Sequence, residues 1–249
     1  VWLWPEQGGP AFAGFRPARS RKAWRLAAAY ALGAIAAAGV ALAFGGWLLW
    51  LLWVSVALAL VAAAYGGLGP AVFQKGADGR MGAAARCLLA PYLAAARLNA
   101  RLWTRGEPAA VEIGDGVWLG RFPSTDDIAA HKITAVVDLS AELPAPATAA
   151  DWTALPSLDL VAPAAGKLRE AARVIEAARA SGPVLVCCAL GYSRSAAAVA
   201  CWLLMTRRAS SMTKAVARLR ALRPRIVLTG RFQAAVREAA EPFGSTNRP

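Results

Sequence analysis

Cys188, Arg194 and Ser195 carry the densest chemistry in this 249-residue chain. The run Val184-Leu185-Val186-Cys187-Cys188 is apolar and β-branched, so a strand is expected. Ala189, Leu190, Gly191, Tyr192 and Ser193 then make a short loop ending at Arg194 and Ser195, and an Ala-rich helical run, Ala196 to Met205, follows. Backbone N–H groups at such a strand–loop–helix junction converge on an anion. They would hold a cysteine at the loop entrance as its thiolate, helped by the nearby guanidinium. An arginine at the loop exit can grip two phosphate oxygens with its planar fork. The expected chemistry is hydrolysis of a phosphate monoester through a phosphocysteine, with residues 189–194 as the phosphate-binding loop.

Spacing alone does not carry this reading. Cys201 to Arg207 repeats the same Cys-x5-Arg interval. That copy contains no glycine and no turn residue, so its amides are consumed by a helix. The context of strand, glycine and helix singles out the Cys188 copy.

Residues 182–204 resemble the signature region of the Cys-based dual-specificity protein phosphatases. Upstream, Gly116-Val117-Trp118-Leu119-Gly120-Arg121-Phe122-Pro123 and Ile133-Thr134-Ala135-Val136-Val137-Asp138-Leu139-Ser140 are similar to that family's early strands. The resemblance runs from about residue 110 to 241. Membrane segments followed by such a domain also resemble bacterial membrane proteins that join a PAP2-type lipid phosphatase to a dual-specificity phosphatase. No PAP2 signature is present, and His131 is the only histidine for a chemistry that needs two.

One position departs from the family, which normally has His before the catalytic Cys; here it is Cys187. The resemblance implies a looser loop and a raised thiol pKa. Two adjacent cysteines could also join as a vicinal disulfide, making Cys187 a redox partner; otherwise Cys187 is a small buried residue under the loop.

Phosphate esters of poor leaving groups need an acid. The family supplies it as an Asp about thirty residues before the Cys. Asp159 lies 29 positions before Cys188 and Asp151 lies 37 before it; Asp159, ahead of the loop Val161 to Pro163, is favoured. Asp138 reads as a structural residue at a strand end. The resemblance further implies that Ser195 hydrogen-bonds the thiolate, and that neither metal nor cofactor is needed. The loop lacks lysine, which leans toward phosphorylated protein, chiefly phosphotyrosine. Membrane attachment leans toward a lipid phosphate such as phosphatidylglycerol phosphate. A catalytically inactive phosphate-binding anchor is a further reading, and a rhodanese-like sulfurtransferase is disfavoured by the terminal Arg.

The elements around this loop alternate. Strands are expected near 111–119, 135–139, 154–158 and 184–188, with helices near 125–131, 165–180, 195–207, 212–222 and 229–240. That order gives an α/β fold with a central, mostly parallel sheet flanked by helices, and the loop at the carboxyl end of a strand.

The rest of the chain is too apolar for one soluble domain: 57% of residues are hydrophobic. Residues 24–44 and 47–65 are apolar runs long enough to cross a bilayer core, and Gly45-Gly46 between them makes a helical hairpin. Trp24, Trp47, Trp50 and Tyr65 fall where interfacial aromatics belong. Arg16, Arg19, Arg21, Lys22 and Arg25 precede the first run, and Lys75, Arg80 and Arg86 follow the second. Both ends should therefore be cytoplasmic, as in a multi-pass protein of a bacterial inner membrane.

The formal charge of +13 is uneven: 11 basic and 2 acidic residues through Gly106, against 17 and 13 afterwards. Anionic lipid is the natural partner of that excess, and no motif points to nucleic acid. Arg97, Arg101 and Arg105 recur at i, i+4 on a helix expected to lie on the inner leaflet or against the catalytic domain. The expected organisation is a basic lead (1–23), a membrane hairpin (24–65), a basic linker and helix (66–106) and a catalytic domain (107–249). Val1 in place of Met is expected of a non-standard start or of a fragment lacking upstream membrane segments.

Overall fold

The computed structural model describes residues 20–241. Arg16, Arg19 and the rest of the expected lead up to residue 19 lie outside these.

Two long apolar helices come first. Helix α1 (Arg21–Phe44) is capped by Ser20, whose side chain accepts from the Ala23 N–H at 3.0 Å. Gly45 and Gly46 turn the chain with φ of 59° and 55°, a conformation that glycine adopts without steric cost. A short 3-10 turn (Gly46–Trp50) leads into α2 (Leu51–Ala63). The seam between the two helices is lined by alanine: Ala27, Ala34 and Ala41 recur every seven residues and are buried, so the backbones come close. The Ser55 hydroxyl donates to the Ala34 carbonyl across it at 2.8 Å.

The second run does not stop at Tyr65. The helix widens into one π turn (Ala64–Leu68) and tightens into a 3-10 turn (Gly69–Phe73). Lys75 and Met81 then pair as an isolated antiparallel bridge, ahead of α3 (Ala83–Leu88) and α4 (Ala90–Trp103). The expected single helix of this segment is thus two pieces, broken where Pro91 at the start of α4 fits a first turn but not a helix interior.

The base of the hairpin is not a free stalk. Ala23, Ala27, Val61, Ala64 and Tyr65 pack with Phe73, Leu89 and Leu93, and with Ala141, Leu158 and Val161 of the α/β domain. Toward the tip the apolar side chains face outward: Leu32, Ile35, Leu42, Phe44 and Trp47 are all exposed. Both helices are long and apolar enough to cross a membrane.

The α/β domain is a five-stranded sheet in the order β1-β2-β5-β3-β4. Strands β1 (Ala110–Gly114) and β2 (Val117–Arg121) form an antiparallel hairpin, whereas β2, β5 (Val184–Cys188), β3 (Ala135–Ser140) and β4 (Asp151–Ser157) run parallel. The continuous strand expected over 111–119 is this hairpin, folded at Asp115-Gly116 with φ of 55° and 75°. Two successive positive φ values are what a tight hairpin turn requires and what Asp-Gly supplies.

Helices α6 (Ala165–Ala178), α7 (Arg194–Met205), α8 (Met212–Leu222) and α9 (Gly230–Ala240) close the principal core with Val184, Val186 and Cys188 of β5. The alternate β5 residues Leu185 and Cys187 face a smaller core with Ala110, Ile128, Ile133 and Val136, capped by the short α5 (Thr125–Ala130). Period-two alternation thus sends the two adjacent cysteines to opposite faces of the central strand.

Candidate active site

Strand β5 ends at Cys188, and residues 189–193 turn the chain into the N-terminus of α7. The turn depends on Gly191, whose φ is 76°; a Cβ there would stand 2.5 Å from the backbone of Gly120. Conformation and close approach both demand glycine. The turn brings the Gly191 N–H to 3.3 Å from Cys188 Sγ. From the first turn of α7, Ser195 Oγ sits 3.2 Å from the same sulfur. Cys188 is 3% exposed, so a negative sulfur there would depend on these donors and on the helix N-terminus.

Arg194 turns under the loop and is 1% exposed. Its Nη1 donates to Glu142 Oε2 at 2.9 Å and to the Ser157 carbonyl at 2.8 Å. Its Nη2 donates to Glu142 Oε1 at 2.6 Å and lies 3.1 Å from Asp159 Oδ1. Nε is buried and finds no partner among the described residues. Burial works against the guanidinium charge, but Glu142 and Asp159 outweigh it and raise the Arg194 pKa further. Burial likewise pushes the Glu142 carboxyl up; the Arg194 charge and hydrogen bonds overcome this and hold it below the usual carboxylate range.

The loop is propped from two sides. Arg223, 2% exposed at the end of α8, donates to the Leu190 carbonyl at 3.2 Å and lies over the Tyr192 ring. The Tyr192 hydroxyl donates to Glu107 at 2.9 Å, and the Val227 N–H to the Tyr192 carbonyl at 3.0 Å. These bonds fix backbone and side chain of the loop before anything binds it.

The described residues match the family model "Dual specificity phosphatase, catalytic domain" over residues 117–241. The chain belongs to this dual-specificity phosphatase family. Among solved structures it is similar to Tk-PTP in its active form, with 28% identity over 53% of this chain and 97% of that one and a TM-score of 0.48. It is similar to a mouse putative dual-specificity phosphatase complexed with zinc tungstate, at 25% identity over 55% and 89% of the two chains and a TM-score of 0.49. Human DUSP28 gives 27% identity over 53% and 93%, with a TM-score of 0.49. No curated protein matches the chain.

Within this dual-specificity phosphatase domain, Cys188, Arg194, Ser195 and Asp159 gather around one loop. Asp151 does not: it is the exposed first residue of β4, in register with Ala135 at the opposite end of the parallel strands from the loop. Asp138 is buried within β3, rather than at its end, and forms an ion pair with Lys75. Lys75 also donates to the Ser140 carbonyl at 2.9 Å and the Leu143 carbonyl at 2.5 Å. Its side chain is fully buried, so it does not belong to a basic surface flanking the membrane. Tyr65 is likewise no interfacial aromatic: it is buried, stacks on Tyr30 and donates its hydroxyl to the Asp159 carbonyl at 3.1 Å.

Cys201 of the second copy lies inside α7, but the helix expected to run to 207 ends at Met205 and Arg207 turns the chain with φ of 58°; burial pushes the Cys201 thiol up to about 12. Cys187 is fully buried; burial, then Asp138, pushes its thiol well above the usual value. Sequence reasoning passed over Glu142 and Arg223, and it placed Lys75 and Tyr65 at the membrane rather than beneath the site. Each meets its partner across a long stretch of chain, and only Glu142 offered a local signal, as a lone acid between apolar residues.

Proposed function

We propose that this chain is a membrane-tethered phosphomonoesterase working through a phosphocysteine on Cys188. The observation that carries the reading is the pair of hydrogen-bond partners on one buried sulfur, the Gly191 N–H and the Ser195 hydroxyl, beside a buried arginine whose Nε has no partner among the described residues.

In this mechanism the Cys188 thiolate attacks phosphorus in line. An S–P bond forms as the ester P–O bond breaks, and Asp159 gives its proton to the leaving oxygen. Water then attacks phosphorus, the S–P bond breaks, and the proton from water passes to Asp159. Inorganic phosphate leaves and the thiolate is restored, with the Ser195 hydroxyl donating to it. The loop amides of residues 189–194 and Arg194 hold the three equatorial oxygens throughout. Nε is free for one of them. A second contact from Nη2 would displace Asp159, which thereby becomes available to the leaving group. Cys187, behind the strand, has no part in these steps. No step calls on a metal or a cofactor.

The tether is the α1–α2 hairpin. Its length, its outward apolar side chains and the basic residues Arg21, Lys22 and Arg25 at one end support insertion from the cytoplasmic face. In this reading residues 24–65 anchor the chain, 66–106 link, and 107–249 catalyse. A loop without lysine suits phosphotyrosine in protein as well as a lipid bearing one phosphate.

The test is hydrolysis of an aryl phosphate by the full chain in detergent, without added metal. Cys188→Ser should reduce turnover at least ~1000-fold, since it removes the nucleophile. A rapid acid quench of the wild type should trap phosphate on Cys188. Turnover by Cys188→Ser equal to that of the wild type would remove the assignment.

A further inference from the structure

The first residues of the loop, Ala189 and Leu190, border a cavity of about 700 Å³ whose walls are largely hairpin and α4 residues. That volume lies within the range of small-molecule sites. One wall is a stripe on the second apolar helix: Trp50, Val54, Ala57 and Leu58, continued by Tyr65. Their spacing of four, three, one and seven keeps them on one helical face. The facing wall is a stripe on α4, Ala95, Ala96 and Asn99 among its members, with the same helical spacing. The floor belongs to the active site: the carboxylates Glu142 and Asp159 and the loop residues Ala189 and Leu190.

Length and chemistry along this groove are uneven in a specific way. From Tyr65 to Trp50 the wall spans about 22 Å of helix at 1.5 Å per residue, more than the roughly 15 Å depth of one leaflet's hydrocarbon. Along that length the lining is almost wholly apolar, and the titratable groups other than Tyr30, Tyr65 and Tyr92 lie at the floor. An extended peptide there would place its N–H and C=O groups against Val54, Leu58 and Ala96, where they find no partners. A hydrocarbon chain has none to satisfy. On the other side of Ala189 a second cavity, of about 300 Å³, is lined by Arg97, Arg101 and Arg121. Arg121 is paired with Asp127 at 3.2 Å, while Arg97 and Arg101 have no carboxylate within ion-pair distance among the described residues. The loop thus stands between an apolar groove running toward the hairpin tip and a basic recess. The outer side of α4 exposes Leu98, Leu102 and Trp103, as a helix resting on a bilayer surface would.

We propose that the substrate is a membrane lipid carrying a phosphate monoester, admitted sideways between α2 and α4, with an acyl chain in the groove and its phosphate in the loop. The basic recess receives the remainder of an anionic headgroup. This rests on the phosphocysteine reading of Cys188 and adds the substrate class to it. The hairpin is then part of the substrate site as well as a tether.

The test uses the full chain reconstituted in phosphatidylcholine vesicles containing phosphatidic acid or phosphatidylglycerol phosphate. Parallel arms use an aryl phosphate, glycerol 3-phosphate and a phosphotyrosine peptide. We expect kcat/KM for at least one of the lipids to exceed that for glycerol 3-phosphate, which has a headgroup and no chain, by about 100-fold or more, and to exceed that for the peptide. Val54→Trp and Ala96→Trp, which fill the groove from its two walls, should each lower the ratio of lipid to aryl-phosphate turnover about tenfold or more. The wild-type preferences stand alone if either variant fails to fold. Aryl-phosphate turnover combined with lipid turnover no better than that of glycerol 3-phosphate, or with the peptide preferred, would overturn the lipid assignment and leave the phosphocysteine reading standing. A wild type inactive on the aryl phosphate as well would bring down both.

Discussion

Asp159 Oδ1 lies 3.1 Å from Nη2 of Arg194, so the carboxylate proposed as the acid is paired with the guanidinium proposed to bind phosphate. Glu142 and Ser157 take the other Nη contacts, and Nε alone has none among the described residues. A phosphate gripped by Nε and Nη2 must compete with Asp159 for Nη2. Binding and release of the acid are then one event.

The Asp159 assignment predicts a dependence on the leaving group. Asp159→Asn keeps the shape and cannot protonate an oxygen. Alkyl phosphates should lose about 100-fold to 10,000-fold in kcat, the usual contribution of a general acid. An aryl phosphate with an acidic phenol, which leaves unaided, should lose far less. The measurement is kcat across a series of esters, and a flat loss across that series would show that Asp159 is not the acid.

Glu142 predicts a pH dependence of stability. Its carboxyl is held below the usual range in the folded protein by Arg194, against a burial effect that acts the other way. A carboxyl with a depressed folded pKa stabilises the protein above its unfolded pKa. It loses that contribution as pH falls through the folded value. Thermal stability should therefore decline on acidification below about pH 4.3, the ordinary value for glutamate. Glu142→Gln should flatten this limb and lower stability at neutral pH by about 3 kcal/mol, because a buried guanidinium loses its principal counter-charge. Melting curves across the acid range decide it, and a variant with the wild-type acid limb would contradict it.

The buried Lys75–Asp138 pair predicts non-additive energetics. Lys75→Met leaves Asp138 uncompensated, with Trp152 and Ser140 as its remaining side-chain and loop donors among the described residues, and should cost about 3–5 kcal/mol. Asp138→Asn in the same background should recover part of that loss. Denaturant titrations of the two single variants and the double variant give the coupling energy. A coupling near zero would mean that the pair is a bystander.

Cys187 predicts insensitivity. Its side chain faces Ile128, Ile133 and Val136 across the strand from Cys188, and its thiol is pushed up by burial. A protonated thiol is a poor nucleophile, so a Cys187–Cys188 disulfide should not form in the folded protein. Wild type and Cys187→Ala should show the same loss with peroxide and the same recovery with dithiothreitol. Recovery in the wild type alone would establish the redox pair.

Much of the phosphatase domain was legible because its signals are local. The β5–loop–α7 junction shows itself in a β-branched run, a glycine and an alanine-rich helix. Even so, β1 and β2 merged into one expected strand, since Val111 to Leu119 stays largely apolar through the Asp115-Gly116 turn that divides it. The contacts that organise the site are long-range: Arg194 with Glu142, 52 positions away, and Tyr65 with Asp159, 94 away. No periodicity records such pairs. Composition misplaced Lys75 for a related reason. A lysine beside an apolar run looks like a surface charge until the fold sets a buried aspartate opposite it.

Tyr65, in the π turn that continues the second apolar helix, holds the backbone of Asp159, while Lys75, ten residues on, is locked into β3. Anchors and catalytic domains are commonly separable modules joined by a slack tether, free to be exchanged in evolution or by a protein engineer. These two contacts remove that freedom. A chimera carrying a foreign hairpin would lose the strut on the Asp159 loop and leave Asp138 unpaired beneath its sheet, so on the proposed reading hairpin and domain are one unit.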